Sequence, residues 1–413
     1  MRHVDVAIAG GGLAGAAAAA MLGRAGLTVA LVDPHPVYPF DFRSEKLAGP
    51  QLHLLRRTGL SDAVLPAATA EDELWIARFG RVVERRRNQA DQYGILYDTL
   101  VNAVRAQVPA GAFVAGKVMA VSTGAERQTM VLSNGEKIGA RLVVLATGLN
   151  NALRRMLGIA RVELSPCHSI SVGFDVAPAA GSQFGFPSLT YYPERAAERI
   201  SYLTLFPVGA AMRANLFLYR EARDPWLKRL REAPRDTLFA AMPGLPKFMG
   251  EFHVTGDINI RPVDLTAVKG HRRAGVVLLG DAFTTSCPAA GTGVNKVFTD
   301  VERLCNVFVP RWFATPGMDT EKIAAFYDDP VKQACDAHSA AQAFYVRSIS
   351  IDAGILWQAR RWGKFIGQSG VGAARRVQRL FADAPVRASA PTAASRQPNI
   401  PVGTAASAPL RRP

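Results

Sequence analysis

Three glycines and one acid near the start of the chain have the spacing needed to hold a diphosphate. Residues 4–9 form a short, largely apolar run suited to a strand buried on both faces, and Gly10, Gly12 and Gly15 complete G-x-G-x-x-G directly after it. Gly10 permits a tight turn, Gly12 lets the backbone approach a pyrophosphate, and Gly15 lets the next helix pack closely on the strand. The Ala-rich stretch 14–24 is a strong helix former, and the amides around Leu13 and Ala14 at its start, with the helix dipole, face the phosphates. Gly26 ends that helix, residues 27–32 read as a second strand, and Asp33 stands where an acid binds a ribose hydroxyl pair. A glycine triplet alone is a weak signal that a ligand-free turn also satisfies. Strand, turn, helix, strand and terminal acid together point to a bound dinucleotide.

A second group of such residues lies past the midpoint. Residues 275–279 read as a buried strand, followed by Gly280-Asp281-Ala282, a loop, and Pro288-Ala-Ala-Gly291-Thr-Gly293-Val294-Asn295 opening a helix that continues through Leu304. Glycines at a helix start leave amides free for an anionic or electron-rich ring edge.

The elements that must position these groups follow from periodicity. Residues 50–58 read as a helix with a short one after Gly59, and residues 73–85 as a hairpin outside the nucleotide core. Apolar spacing predicts a helix over 92–107, strands over 113–121 and 129–132, a type I′ hairpin turn at Asn134-Gly135, and a strand over 142–146 stopping at Thr147-Gly148. Residues 169–176, 189–192, 200–206, 213–219 and 252–260 look like an antiparallel sheet with a helix between 224 and 241. The expected class is α/β. Residues 1–162 and 263–310 form a nucleotide domain, 163–262 an inserted sheet domain that sets substrate selectivity, 311–383 a helical region, and 384–413 a disordered tail with almost nothing to bury.

At 413 residues and 49% hydrophobic content the chain can bury a large core. No run approaches a membrane span and no signal peptide is recognisable, so the expected location is cytoplasmic. Cys167, Cys287, Cys305 and Cys335 are widely separated without metal-ligand spacing; they read as reduced thiols, with no metal site. The net charge of +15 is concentrated late: from residue 353 onward Asp383 is the only acid among ten Lys and Arg residues. Such an end is a solvated face or a contact for an anionic membrane or acidic partner, and no recognition module accompanies it that would specify nucleic acid.

With both glycine segments in view, the chain resembles the single-component FAD-dependent aromatic hydroxylases, the group A flavoprotein monooxygenases of the para-hydroxybenzoate hydroxylase fold, over roughly residues 4 to 305. Pro288-x-x-Gly291-x-Gly293-x-Asn295-x-x-x-x-Asp300 follows that family's late motif. The resemblance implies a glutathione-reductase-like FAD-binding Rossmann domain. It also implies that Asp281 bonds the ribityl chain, that the amides of Gly293 and Val294 hold the pyrimidine edge, and that Pro288 lies against the flavin ring. By position in the motif order, Arg43 falls near the FAD phosphates, Gln89 where an Arg or Gln contacts FAD, and Val118 where backbone meets adenine. The implied reaction uses NADPH or NADH and molecular oxygen, passes through a flavin C4a-hydroperoxide, and hydroxylates a small aromatic or heteroaromatic substrate.

Two departures stand out. Thr147-Gly148 occupies the place of the family's Asp-Gly, with Asn151 for the downstream serine and Arg154 in step; Ala282-Phe283-Thr284 replaces the usual small residue and histidine. The first departure bears on how NAD(P)H reduces the flavin. No catalytic base stands out; Pro288, Cys287 and His168 are the candidates for a catalytic role, and packing is the better explanation of Cys287 and His168. A flavin-dependent halogenase is a competing reading, although its W-x-W-x-I-P signature is absent. A geranylgeranyl-reductase-like enzyme and a flavin-bound sensor or interaction protein are the others.

Overall fold

In the computed structural model, which describes residues 1–87 and 92–382, the strand Arg2–Ala9 lies inside a seven-stranded sheet. Val29–Asp33 and Lys137–Leu145 flank it in parallel, Phe113–Ala115 and Val276–Leu278 extend the parallel set, and Gln128–Leu132 and Val118–Ser122 close one edge antiparallel. Val6 and Ile8 pack into one apolar cluster and Ala7 and Ala9 into another, which is why these residues carry no polar alternation. The helix Leu13–Arg24 is enclosed from Leu13 through Leu22. A helix buried all round needs no polar face, and its run of alanines lets it sit close to the sheet.

A second seven-stranded sheet runs in the order Phe252–Lys269, Ala160–Pro178, Ala211–Leu218, Ile200–Val208, Ser188–Tyr192, Glu73–Arg78, Arg81–Arg87. Ala214, Leu216 and Leu218 pack on one side with the helices Pro225–Glu232 and Pro234–Ala241, while Asn215 and Phe217 face the other way. A three-stranded sheet, Ser44–Ala48, Gln92–Leu96 and Thr69–Ala70, is wedged against it: a Cβ on Gly94 would stand 2.5 Å from the Pro207 carbonyl oxygen.

Several expectations are corrected. Ser188–Tyr192 pairs in parallel with Glu73–Arg78, so the second sheet is mixed and recruits the early hairpin from outside residues 163–262. The strands Ala160–Pro178 and Phe252–Lys269 run unbroken through the boundaries drawn at 162 and 262, with register shifts between Glu163 and Ser169. Residues 92–107 split into a strand, Gln92–Leu96, and a helix, Tyr97–Arg105, because Tyr93 and Ile95 satisfy a two-residue period as well as a helical one. The helix expected over 224–241 breaks at Ala233, pushed out of helical geometry by Pro234. The Asn134-Gly135 turn is not type I′: only Gly135 has positive φ there, and its amide donates to the Leu132 carbonyl at 3.0 Å.

After the helix Gly293–Arg303 the chain is helical, with Thr320–Tyr327 and Pro330–Ile351 capped by Asp319 and Asp329, then Ile355–Ala382. Met1–Gly372 form one compact unit and the residues from Ala373 a second. The expected tail and Gln89 lie outside the described residues. Among the described residues the four cysteines are free, no helix is long and apolar enough to cross a membrane, and no group of three or more His, Cys, Asp or Glu is arranged to hold a metal.

Candidate functional site

The first glycine turn stands at the C-terminal end of Arg2–Ala9 and opens onto a groove of about 310 Å³ lined by Gly10, Gly12, Leu13, Ala14, Asp33, Arg43, Thr147, Gly148 and Asp281 among others. Gly10 has φ of 101°, and a Cβ on Gly15 would lie about an ångström inside the 3.0 Å limit from the Gly10 carbonyl oxygen. Those two glycines are required by the fold itself. Gly12 is different: its φ is −69° and an added Cβ would meet nothing within 4 Å. No feature of the protein demands glycine there, and the added side chain would project into open space at the start of a helix with no side-chain cap.

Asp33 is held, not free. Oδ2 accepts from the Gly11 amide at 2.7 Å, Oδ1 accepts from the His35 amide at 2.9 Å, and Arg105 lies 3.3 Å from Oδ1. Arg105 also donates to the Gly11 and His35 carbonyls, each at 2.6 Å, and so clamps the turn to the end of the second strand.

Arg43 lies on the far side of the groove, its guanidinium 3.8 Å from the centroid of the Tyr97 ring and 2.6 Å from Asp41. It lines this groove and a neighbouring cavity of about 230 Å³ that continues under the second sheet. That cavity is walled by Ser171, Asn215 and Phe217 from the second sheet, by Glu45 from the small sheet and Phe42 just before it, and by Cys287, Pro288, Gly291 and Gly293 from the late motif. Asp281 stands at the junction and lines both. Burial pushes the Glu45 carboxyl up to about 7, and burial raises Asp281 as well although Arg43, Lys296, Arg161 and Arg154 oppose it.

The late motif is braced from beneath. Asp300, fully buried, accepts from the Gly280 amide at 3.2 Å, from Lys296 at 3.2 Å and from Lys332 at 2.6 Å. Arg154 donates to the Ala282 carbonyl at 2.7 Å and to Asn151. Thus Asp300 and Arg154 hold the loop that carries Asp281 without touching the groove. The helix Gly293–Arg303 begins with no side-chain cap, Gly293 meets nothing closer than the Ser286 Cβ at 3.8 Å, and Asn295 Oδ1 is buried without a partner among the described residues. Val294 is packed in the core, so only its backbone is available.

Two expected groups stand elsewhere. Val118 pairs with Leu132 and packs against the sheet core, and it is not among the residues lining either cavity. His168 is fully buried between the second sheet and the helix Pro330–Ile351, with Nδ1 3.1 Å from Ser165 Oγ and Nε2 3.2 Å from the Ala343 carbonyl. It lines neither cavity, and burial holds its pKa below the ordinary value. Cys287 is buried in the cavity wall with Sγ 3.5 Å from Ser169 Oγ, a packed thiol. Arg105, Tyr97 and Lys332 were not legible beforehand; each acts on groups tens of residues away in sequence.

The groove and the fold fit FAD. The open space at Gly12 and the uncapped amides at both helix starts offer the room and the hydrogen-bond donors that an extended dinucleotide requires, and Asn295 Oδ1 is a buried acceptor without a partner among the described residues. A largely parallel sheet with a glycine turn at the end of its first strand, joined to a second sheet over a cavity, is an arrangement suited to a bound flavin. Residues 3–309 match the FAD binding domain family, and the chain belongs to it, as an FAD-dependent oxidoreductase of the group A flavin monooxygenase class. NAD(P)H is the usual electron donor in that family.

Among curated proteins the chain is 27% identical to 3-demethoxyubiquinol 3-hydroxylase of Escherichia coli (strain K12) over 333 residues, 74% of this chain and 79% of that protein. Among solved structures it is similar to p-nitrophenol 4-monooxygenase PnpA from Pseudomonas putida DLL-E4, with a TM-score of 0.71 at 16% identity, covering 92% of this chain and 97% of that one. It is also similar to the tetrameric form of 2-methyl-3-hydroxypyridine-5-carboxylic acid oxygenase, with a TM-score of 0.62 at 19% identity, covering 86% and 93%.

Proposed function

We propose that this chain hydroxylates a small aromatic or heteroaromatic compound, with FAD along the groove and the ring to be oxidised in the cavity between the Pro288 loop and the second sheet. The observation that carries the placement is the pair Gly12 and Gly293, two glycines without positive φ and without close neighbours, each at the start of an uncapped helix. The curated relative is a ubiquinol hydroxylase and the two structural neighbours are oxygenases of a nitrophenol and a hydroxypyridine acid, all ring compounds.

The amides of Gly12, Leu13 and Ala14 bind the pyrophosphate, Asp33 with its clamp Arg105 orients the adjoining ribose, and Asp281 orients the ribityl chain. Arg43, fixed by Tyr97 and Asp41, gives the groove a cation that cannot swing away. The amides of Gly293 and Val294, backed by the helix dipole, stabilise negative charge at the ring edge. When bound, the flavin supplies the two-electron oxygen chemistry. Phe42, Phe217, Pro262, Val263 and Pro288 line the adjoining cavity with apolar surface, which seats a planar ring and excludes water.

The test is direct. Purified protein should carry flavin, NADPH or NADH consumption should rise with a phenolic or heteroaromatic compound, and the product should carry one added oxygen. Thr147 in place of the family's aspartate makes the reduction step the one to watch. Turnover only with a separate reductase would favour a halogenase or a saturase, and bound flavin without turnover on any donor would favour a sensor.

A further inference from the structure

The helix Ile355–Ala382 shows solvent an apolar stripe that, among the described residues, is covered only where Trp362 stacks on the Phe79 ring at 5.6 Å. Ile355 is 85% exposed, Leu356 77%, Ile366 66% and Trp362 54%. Ile355, Trp362 and Ile366 are separated by seven and then four residues, so they stand on one side of the helix, with Leu356 beside them. The inner side is engaged: Phe365 meets the Phe79 ring edge-on at 5.3 Å, Trp357 meets Tyr345 at 6.0 Å, and Arg361 donates to the Ile349 carbonyl at 3.2 Å.

Charge selects what covers the stripe. Residues 353–413 carry ten Lys and Arg residues and one acid, Asp383. A second copy of this chain, itself at +15, would bring like charge against like. An anionic lipid surface takes both features together, the stripe at the headgroup boundary and the cations on phosphate. We propose that this helix docks the protein on an anionic membrane surface, with Ile355, Leu356 and Ile366 entering the headgroup layer and Trp362, stacked on Phe79, at its edge. Beneath its inner side lies a separate cavity of about 310 Å³ lined by Arg78, Tyr192, Tyr202, Arg361 and Lys364. Docking sets that cavity beside the lipid, where amphiphilic compounds concentrate.

The experiment is co-sedimentation of the full-length flavin-loaded protein with vesicles of phosphatidylcholine alone or with about 30% phosphatidylglycerol, a headgroup charge that attracts basic segments. The anionic vesicles should bind at least about tenfold more tightly. The triple variant Ile355→Ser, Leu356→Ser, Ile366→Ser should lose about tenfold or more of that affinity while keeping flavin content and melting temperature. No binding to anionic vesicles overturns the proposal. So does equal binding by the triple variant, which would leave the cations alone as the contact, or a protein dimer that the variant dissociates.

Discussion

Gly12 and Gly15 are three residues apart on the same turn, yet the structure assigns them opposite duties, and substituting each separates flavin binding from folding. At Gly15 a Cβ enters the Gly10 carbonyl oxygen by about an ångström, so strand and helix must part. Overpacking of that kind costs about 3 kcal/mol, and with unfolding entropy near 2.1 cal/mol/K per residue the melting temperature of a domain this long falls by roughly 4 °C. At Gly12 the backbone is ordinary and the Cβ is free of contacts, so Gly12→Val costs folding only the lost cap preference, about 0.5–1 kcal/mol. Its side chain then occupies the open space where the pyrophosphate must approach. A loss of about two orders of magnitude in FAD affinity, near 3 kcal/mol, is expected. The assay is thermal melting of both flavin-stripped variants beside the flavin-to-protein ratio after reconstitution. Gly15→Ala should melt early; Gly12→Val should melt with the parent apoprotein and stay colourless, with no rise in melting temperature on adding FAD. Stoichiometric flavin in Gly12→Val, or an equal drop in its apoprotein melting temperature, would refute the assignment.

Asp300→Ala takes away the fully buried carboxylate that Lys296 and Lys332 share, leaving them only the partly exposed Asp336 at 3.3 and 3.0 Å, and frees the Gly280 amide, so it should cost about 3–5 kcal/mol and reduce flavin occupancy; an unchanged denaturation midpoint would contradict this. Glu45, pushed up to about 7, binds its proton first in the folded state. Apoprotein stability should therefore gain from this carboxyl as pH falls from 8 toward the unfolded carboxylate pKa, by about 1–2 kcal/mol, and lose it as pH rises through 7; urea titrations of Glu45→Gln should show that slope reduced. His168→Gln should keep flavin and turnover while costing about 1–2 kcal/mol from its two buried hydrogen bonds. A large fall in kcat at unchanged melting temperature would return His168 to the reaction.

How much of this was legible in the sequence depends on how local the determining contact is. Gly10, Gly12, Gly15 and Asp33 act within one strand-turn-helix-strand unit, so their spacing singles them out, and Asp281, Gly291 and Gly293 act within one loop and helix start, where the family resemblance singles them out; Gly10, Gly12, Asp33 and Asp281 line the groove, Gly291 and Gly293 the adjoining cavity, and Gly15 seats the helix. The hairpin Glu73–Arg87 was legible as a hairpin but not as part of the second sheet, because its parallel partner Ser188–Tyr192 lies more than a hundred residues on. Gln92–Leu96 was misread since five residues fit either period, and the deciding contact is Gly94 against Pro207. Arg105 carries no local signal that sets it apart from other cations, yet it spans 94 residues to hold Gly11. Asp300 was visible as the last residue of a motif, but its reason was not: Lys332, which neutralises it, comes 32 residues later on another helix.

These cases divide along a physical line. A ligand that approaches backbone amides imposes a small, contiguous pattern of glycines, because only missing side chains make room for it. A buried charge imposes no local pattern, because any opposite charge the fold brings near will serve. Among the residues read directly from the sequence, those that only make room for the cofactor, Gly12 and Gly293, should therefore lose flavin at little cost to folding, whereas replacing Arg105, Lys332 or Asp300, whose partners only the structure shows, should cost both. A variant of the Asp300 network that lost flavin while melting like the parent would break that division, since it would show the network touching the cofactor and not merely carrying the loop that does.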